Sequence, residues 1–221
     1  MVSNVVPLQC PNVGHAKAYT FLVGRYRPNA PDVRKKELVK ALWNIPCKET
    51  CDYLLTMSGE MYDLVVTTIM VRHCLTSLWS TFGTELAVPL SGDNLAIIAD
   101  VLFKNEENPL VPSPEDGLEW LDTFMGPKIR IEMVGLLFCF FGRVYLSLQD
   151  WDPVFKAEEN CGRNRRETAW RMTECAEVCR KLAHQSETIN EIAAALSFRM
   201  LVLQSTVLGD DSKELHIMET Q

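Results

Sequence analysis

Residues 127–148 read PKIRIEMVGLLFCFFGRVYLSL, and how this stretch is interpreted decides the fold. Gly126-Pro127 is a start signal, because proline suits the first helical turn, where its missing N–H would have no partner. From Met133 to Leu148 apolar residues fall on every side of a helix, so no single stripe faces a core. A helix that is apolar all round must be covered all round. At about 1.5 Å per residue the stretch would run roughly 33 Å, the width of a small domain. Lys128, Arg130 and Glu132 shorten the apolar run and Arg143 sits inside it, which leaves fewer than the ~20 residues a bilayer needs. The pattern predicts a buried central helix and no membrane span. Arg143 is expected either to meet an acidic partner from a neighbouring element or to reach solvent while its stem packs. Glu132 lies too far along the helix to serve it.

On either side of this helix the chain carries further helical signals. Residues 1–31 hold Pro7, Pro11, Gly14, Gly24, Pro28 and Pro31, the composition of a flexible N-terminal arm. A helix is expected from about Asp32, with Leu38, Ala41 and Leu42 on one side and Pro46 as its end. A second carries Cys51, Leu54 and Leu55 and breaks at Ser58-Gly59. Between Thr67 and Phe82, the residues Val71, Cys74, Leu75, Leu78, Trp79 and Phe82 keep helical spacing, with Gly83 expected as a left-handed cap. His73 lies beside that stripe as a surface or partly buried residue. Ser91 should cap a helix carrying Leu95, Ile98, Val101 and Leu102.

Three prolines between Lys104 and Glu115 predict an extended connector, either a domain boundary or a loop over one domain. A short amphipathic turn follows (Leu118, Leu121, Phe124). Beyond the central helix, Arg163, Arg165 and Arg166 form a basic cluster at the mouth of a helix whose stripe is Met172, Cys175, Ala176, Cys179, Leu182 and Ala183. Ser186 should open a last helix, with Ile192, Leu196, Met200 and Leu203 inward and Gly209 as its stop. Strand signals are scarce. The expected class is all-α: an irregular multi-helix domain over residues 32–209, packed around one buried central helix, with a polar tail at 210–221.

Composition bounds the function. The net charge of −7 and 47% apolar content describe a globular chain without a general nucleic-acid-binding surface. Bases dominate residues 1–40, and acids dominate from Glu85 to Asp122, where Lys104 is the one base. The eight cysteines include no Cys-x-x-Cys, no basic and apolar leader opens the chain, and no Asn-x-Ser/Thr occurs. Reduced thiols and an intracellular setting are expected. There is no phosphate-binding glycine loop, no His-Glu-x-x-His and no Gly-x-Ser-x-Gly. His15, His73, His184 and His216 lie far apart, and Asp210-Asp211 with Glu214 falls in the polar tail. No catalytic, cofactor-binding or metal-ligating set is expected, and no enzyme.

One succession of motifs has a wider bearing. Gly126-Pro127-Lys128-Ile129-Arg130-Ile131-Glu132 leads into Gly135-Leu136-Leu137-Phe138, then into Leu146-Ser147-Leu148-Gln149-Asp150-x-Asp152-Pro153-x-Phe155. After these come Arg165-Arg166, Met172, Cys175-x-x-x-Cys179, Ser186-x-x-Ile189-Asn190-Glu191, Leu203-Gln204-Ser205 and Gly209-Asp210-x-Ser212. The order resembles the regulatory middle homology region of fungal binuclear-zinc-cluster transcription factors. Ala41-Leu42-Trp43-Asn44-Ile45-Pro46 and Leu78-Trp79-Ser80-Thr81-Phe82-Gly83 fit the start of the same region.

The resemblance implies a nuclear regulator of transcription, controlled through partner or small-molecule contacts. Two departures stand out. That family carries a six-cysteine zinc cluster near its N-terminus, whereas the first 46 residues here hold only Cys10. Its regulatory region also continues into further helices, whereas nine residues follow Ser212 here. The expectation is the N-terminal half of a regulatory region, without sequence-specific DNA binding of its own. Its missing cover should leave Phe138, Phe141, Phe198, Leu201 and Val202 open, and so lead to a protein partner or to self-association. The rival reading is a helical interaction module outside transcription.

Overall fold

The computed structural model describes residues 31–59, 68–108, 117–160, 162–184 and 190–209. Eight α-helices occur among them, and no strand. They are α1 (Pro31–Leu42), α2 (Lys48–Met57), α3 (Thr68–Phe82), α4 (Gly92–Glu106), α5 (Gly117–Asp122), α6 (Ile131–Ser147), α7 (Arg165–Ala183) and α8 (Glu191–Leu208). The expected arm and tail lie outside the described residues, except that Pro31 is already the first residue of α1.

α6 is the predicted central helix, buried from Ile131 through Gly142 and again at Val144 and Tyr145. Its start differs from the expectation. Gly126–Lys128 form a separate 3-10 turn, Gly126 adopts φ +57, and α6 begins only at Ile131. The delay has a cause. Asn105 at the end of α4 donates from Nδ2 to the Pro127 carbonyl (3.0 Å) and the Ile129 carbonyl (2.8 Å), which holds this segment out of helical geometry.

Two glycines on α6 set how closely its neighbours approach. A Cβ at Gly135 would stand 2.7 Å from Leu196 Cδ2 of α8 and 3.0 Å from Cys179 Cβ of α7. A Cβ at Gly142 would stand 2.8 Å from Leu203 Cδ2 and 3.2 Å from Met172 Cβ. These pairings run α7 antiparallel and α8 parallel to α6, so the three helices form a mutually packed core. The small residues Cys175, Ala176, Cys179 and Ala183 of α7 are buried there, as their spacing predicts. α1 packs against α7 and α4, and α2 and α3 cover other parts of α6.

Local signals are mostly met. Ser91 Oγ accepts from the Asn94 N–H (3.1 Å), and Val71, Cys74, Leu75, Leu78 and Phe82 face inward from α3. Asn164 and Glu167 exchange two hydrogen bonds as a capping box at the start of α7. Gly209 ends α8 at φ +90. Several expectations need correction. Gly83 is not left-handed; it closes α3 by a tight approach, a Cβ there lying 2.5 Å from the Trp79 carbonyl oxygen. α4 runs to Glu106, so Lys104 belongs to the helix and not to the connector, most of which lies outside the described residues. The cap of α8 is Asn190, whose Oδ1 accepts from the Ala193 N–H (2.8 Å), and Ser186 lies outside the described residues.

Candidate functional site

Buried charge gathers where α4, α6 and α8 meet. The Arg130 side chain is 4% exposed and that of Glu132 1%. Arg130 donates to Glu106 Oε2 (3.0 Å) and to the carbonyls of Asn105 (3.0 Å) and Asn108 (2.8 Å). Glu106 Oε1 accepts from the Ile131 N–H (2.9 Å), which meets one of the donors that a helix start leaves over. Glu132 Oε1 accepts from Asn190 Nδ2 at 2.6 Å, and its Oε2 lies 3.4 Å from Arg130 Nε.

Burial, followed by the hydrogen bond and charge of Glu132, pushes the Glu106 carboxyl up to about 8. Burial also pushes Glu132 upward, but hydrogen bonds from Glu106 and Asn190 and the charge of Arg130 outweigh it and hold Glu132 below the usual carboxylate range. Two carboxyls with diverging proton affinities can mark acid–base chemistry. Here the cluster ties α4 and the cap of α8 to the start of α6, with Arg130 and Glu132 buried and the Glu106 side chain 11% exposed. It is a structural clasp, one that sequence spacing alone did not reveal.

The surface offers a different arrangement. A groove of about 350 Å³ lies between α6 and α8 at the start of α3. Its walls are apolar, from Leu136, Cys139, Phe140 and Leu146 on one helix and Val202 and Leu203 on the other. Two cations line it, Arg143 and Arg199, and no Asp or Glu does among the described residues. A wider hollow between α1 and α7 is lined by Glu37, Glu174, Lys40 and Arg171, so its charges offset one another.

Of the two expectations for Arg143, solvent exposure of its side chain is seen. Arg143 is exposed at the groove, whereas its neighbours Gly142 and Val144 are buried. Arg199 is 9% exposed, and burial lowers its proton affinity. Its guanidinium carbon stands 5.9 Å from the Phe198 ring centroid. The hydroxyls of Ser147 and Thr206, at the end of the groove, donate to the Val144 carbonyl (2.7 Å) and the Val202 carbonyl (2.8 Å) of their own helices.

The expected open patch forms only in part. Phe138 and Phe141 are fully buried, on parts of α6 covered by its neighbouring helices. Phe198 is 52% exposed, and Leu201 and Val202 are half-buried. Comparison of the chain with protein-family models, curated proteins and solved structures finds no match.

Among the described residues six cysteines are free thiols, and burial raises the proton affinity of Cys74 and Cys175 to about 12. No group of residues able to hold a metal occurs among the described residues. The basic cluster is partly spent on folding: Arg163 donates to the Asn160 carbonyl, and Arg165 donates to the Leu148 carbonyl and pairs with Asp150. His73 meets Asp122 at 2.8 Å on the surface. By length and composition α8 could cross a membrane, but 44% of it is buried inside the protein. Sequence reading singled out α6 for that test and overlooked α8.

Proposed function

We propose that the chain is a non-enzymatic regulatory module of the fungal zinc-cluster transcription-factor kind, acting in the nucleus through binding at its α6–α8 face. The observation that carries this reading is where the resembling motifs fall. Gly126–Phe138, Met172 with Cys175 and Cys179, Asn190-Glu191 and Leu203–Ser205 lie along α6, α7 and α8 or at their starts. These three helices form one packed core, which supports reading those motifs as parts of one unit; the motifs at Ala41–Pro46 and Leu78–Gly83 fall instead at the end of α1 and on α3. The α6–α8 groove gives that unit a surface through which a partner or small molecule can act.

The test is to fuse the chain to an unrelated DNA-binding domain and follow a reporter gene, together with nuclear fractionation of the untagged chain. A changed reporter output and a nuclear pool are expected. A silent reporter with the protein wholly outside the nucleus would overturn the reading. The second reading, a helical interaction module outside transcription, rests on the exposed aromatics Trp43, Trp151 and Phe198, which suit protein contacts. Wholly non-nuclear protein that still co-purifies with a discrete partner would favour it.

A further inference from the structure

We infer that Glu106 and Glu132 share one proton, and that Glu106 caps the start of α6 only while that proton is held. The contact between α4 and α6 is then a proton-operated joint, a form of control separate from the proposed function. Charge comes first. One guanidinium, that of Arg130, stands between two carboxyls, and the side chains are 4% exposed for Arg130, 1% for Glu132 and 11% for Glu106. With both carboxyls ionised the joint would bury a net negative charge. One proton makes it neutral, which burial favours.

The hydrogen bonds call for the same proton. Both Glu106 oxygens accept, from Arg130 and from the Ile131 N–H, and Glu132 Oε1 accepts from Asn190. Glu132 Oε2 is buried without a donor, because Arg130 Nε, 3.4 Å away, lacks hydrogen-bond geometry. An ionised carboxylate only accepts, whereas a protonated one also donates. The two carboxyls are hydrogen-bonded to each other, and that bond exists only with a proton in it. Burial first, and Glu132 second, keep the proton on Glu106 up to about 8.

Of the pair, Glu106 is the one able to leave. It ends α4 beside exposed Glu107, whereas Glu132 lies in the first turn of α6 and is held by the cap residue of α8. Once ionised, Glu106 is repelled by Glu132 and better solvated outside, and the Ile131 N–H loses its acceptor. Arg130 stays tied to the Asn105 and Asn108 carbonyls and still faces Glu132. Leu95, Ile98, Ala99 and Leu102 keep the rest of α4 buried, which confines the change to the joint. From α7, burial keeps Cys179 a neutral thiol, and burial and Arg180 keep His184 neutral above its ordinary 6.5. Glu177 of α7 is paired with Arg180 and Lys181. Lys104 and Glu107 of α4, Lys128 of the 3-10 turn and Glu191 of α8 are exposed.

The experiment is NMR of the full chain, labelled with carbon-13 at glutamate Cδ and nitrogen-15 at isoleucine. One glutamate carbon should titrate near 8, and its signal should be missing from Glu106→Gln. In Glu132→Gln, which removes the opposing charge, that titration should move down by at least about one pH unit. A proton affinity raised in the closed joint is a hold that weakens as pH rises towards about 8 and then levels off. Protection of the Ile131 amide against exchange should therefore drop about thirtyfold between roughly pH 6.5 and 8, while amides of α7 keep theirs. Glu106→Gln can still accept from Ile131 and donate to Glu132, so it should abolish the drop. No glutamate titrating between about 6.5 and 9, an unmoved titration in Glu132→Gln, pH-independent protection at Ile131, or equal loss throughout α7 would each overturn the inference. If a variant fails to fold, the titration and the Ile131 exchange of the unaltered chain decide.

Discussion

At the scale of the residue, Glu106, Arg130, Glu132 and Asn190 decide how the fold responds to pH. In the folded chain Glu106 holds its proton up to about 8, whereas an unfolded glutamate releases it near ~4.3. Folding therefore takes up a proton between those values. The stabilisation from Glu106 is complete below the unfolded value and is lost as pH rises through about 8. Glu132 acts in the opposite sense: its affinity is lowered, so its contribution is lost as pH falls below the usual carboxylate range. Urea midpoints should thus fall from mildly acidic pH towards pH 8.5, and Glu106→Gln should flatten that decline. An equal slope in the variant would refute the assignment. Asn190→Ala removes both the α8 cap and a hydrogen bond to buried Glu132, so a loss of about 2–3 kcal/mol is expected in the same measurement.

At the scale of the element, the core depends on the two glycines of α6. Alanine is the better helix former by about 1 kcal/mol, which alone would stabilise the variants. Against this, a methyl at Gly135 meets Cys179 Cβ, which is fixed to the backbone of α7, as well as the movable Leu196 methyls. Overpacking costs about 1–3 kcal/mol. Gly135→Ala should therefore destabilise by roughly 1–2 kcal/mol in chemical denaturation. Gly142→Ala should cost less, because its tightest neighbour is a Leu203 methyl and Met172 Cβ is farther off. Equal or greater stability in both variants would mean that α7 and α8 can move aside.

Most elements were legible in advance because their signal is local. The stripe of α3, the cap at Ser91 and the all-round apolar run of α6 each lie within one stretch of chain. The start of α6 was not, because Asn105 and Glu106 impose it from an element some 25 positions earlier. The groove was hidden for the same reason. It needs Thr68, Arg143 and Arg199 brought together from three helices.

At the scale of the whole molecule, charge and cover set what the chain can meet. Arg163 and Arg165 are engaged by Asn160, Leu148 and Asp150, so two of the three arginines of the basic cluster are tied to the fold. Specific DNA sites require several phosphate contacts and readers of base edges. No sequence-dependent DNA binding is expected in an anisotropy titration at physiological salt, and sub-micromolar, sequence-selective binding would contradict this. The way α4 is fastened to α6 has one more consequence. Asn105, Glu106 and Asn108 grip Pro127, Ile129, Arg130 and Ile131 directly, on the two sides of residues 109–116. The length of chain between Asn108 and Pro127 is not what holds α4 to the start of α6. Nor is the peptide linkage itself what aligns the two helices: co-expressed fragments divided within 109–116 should find each other and co-purify as one helical body.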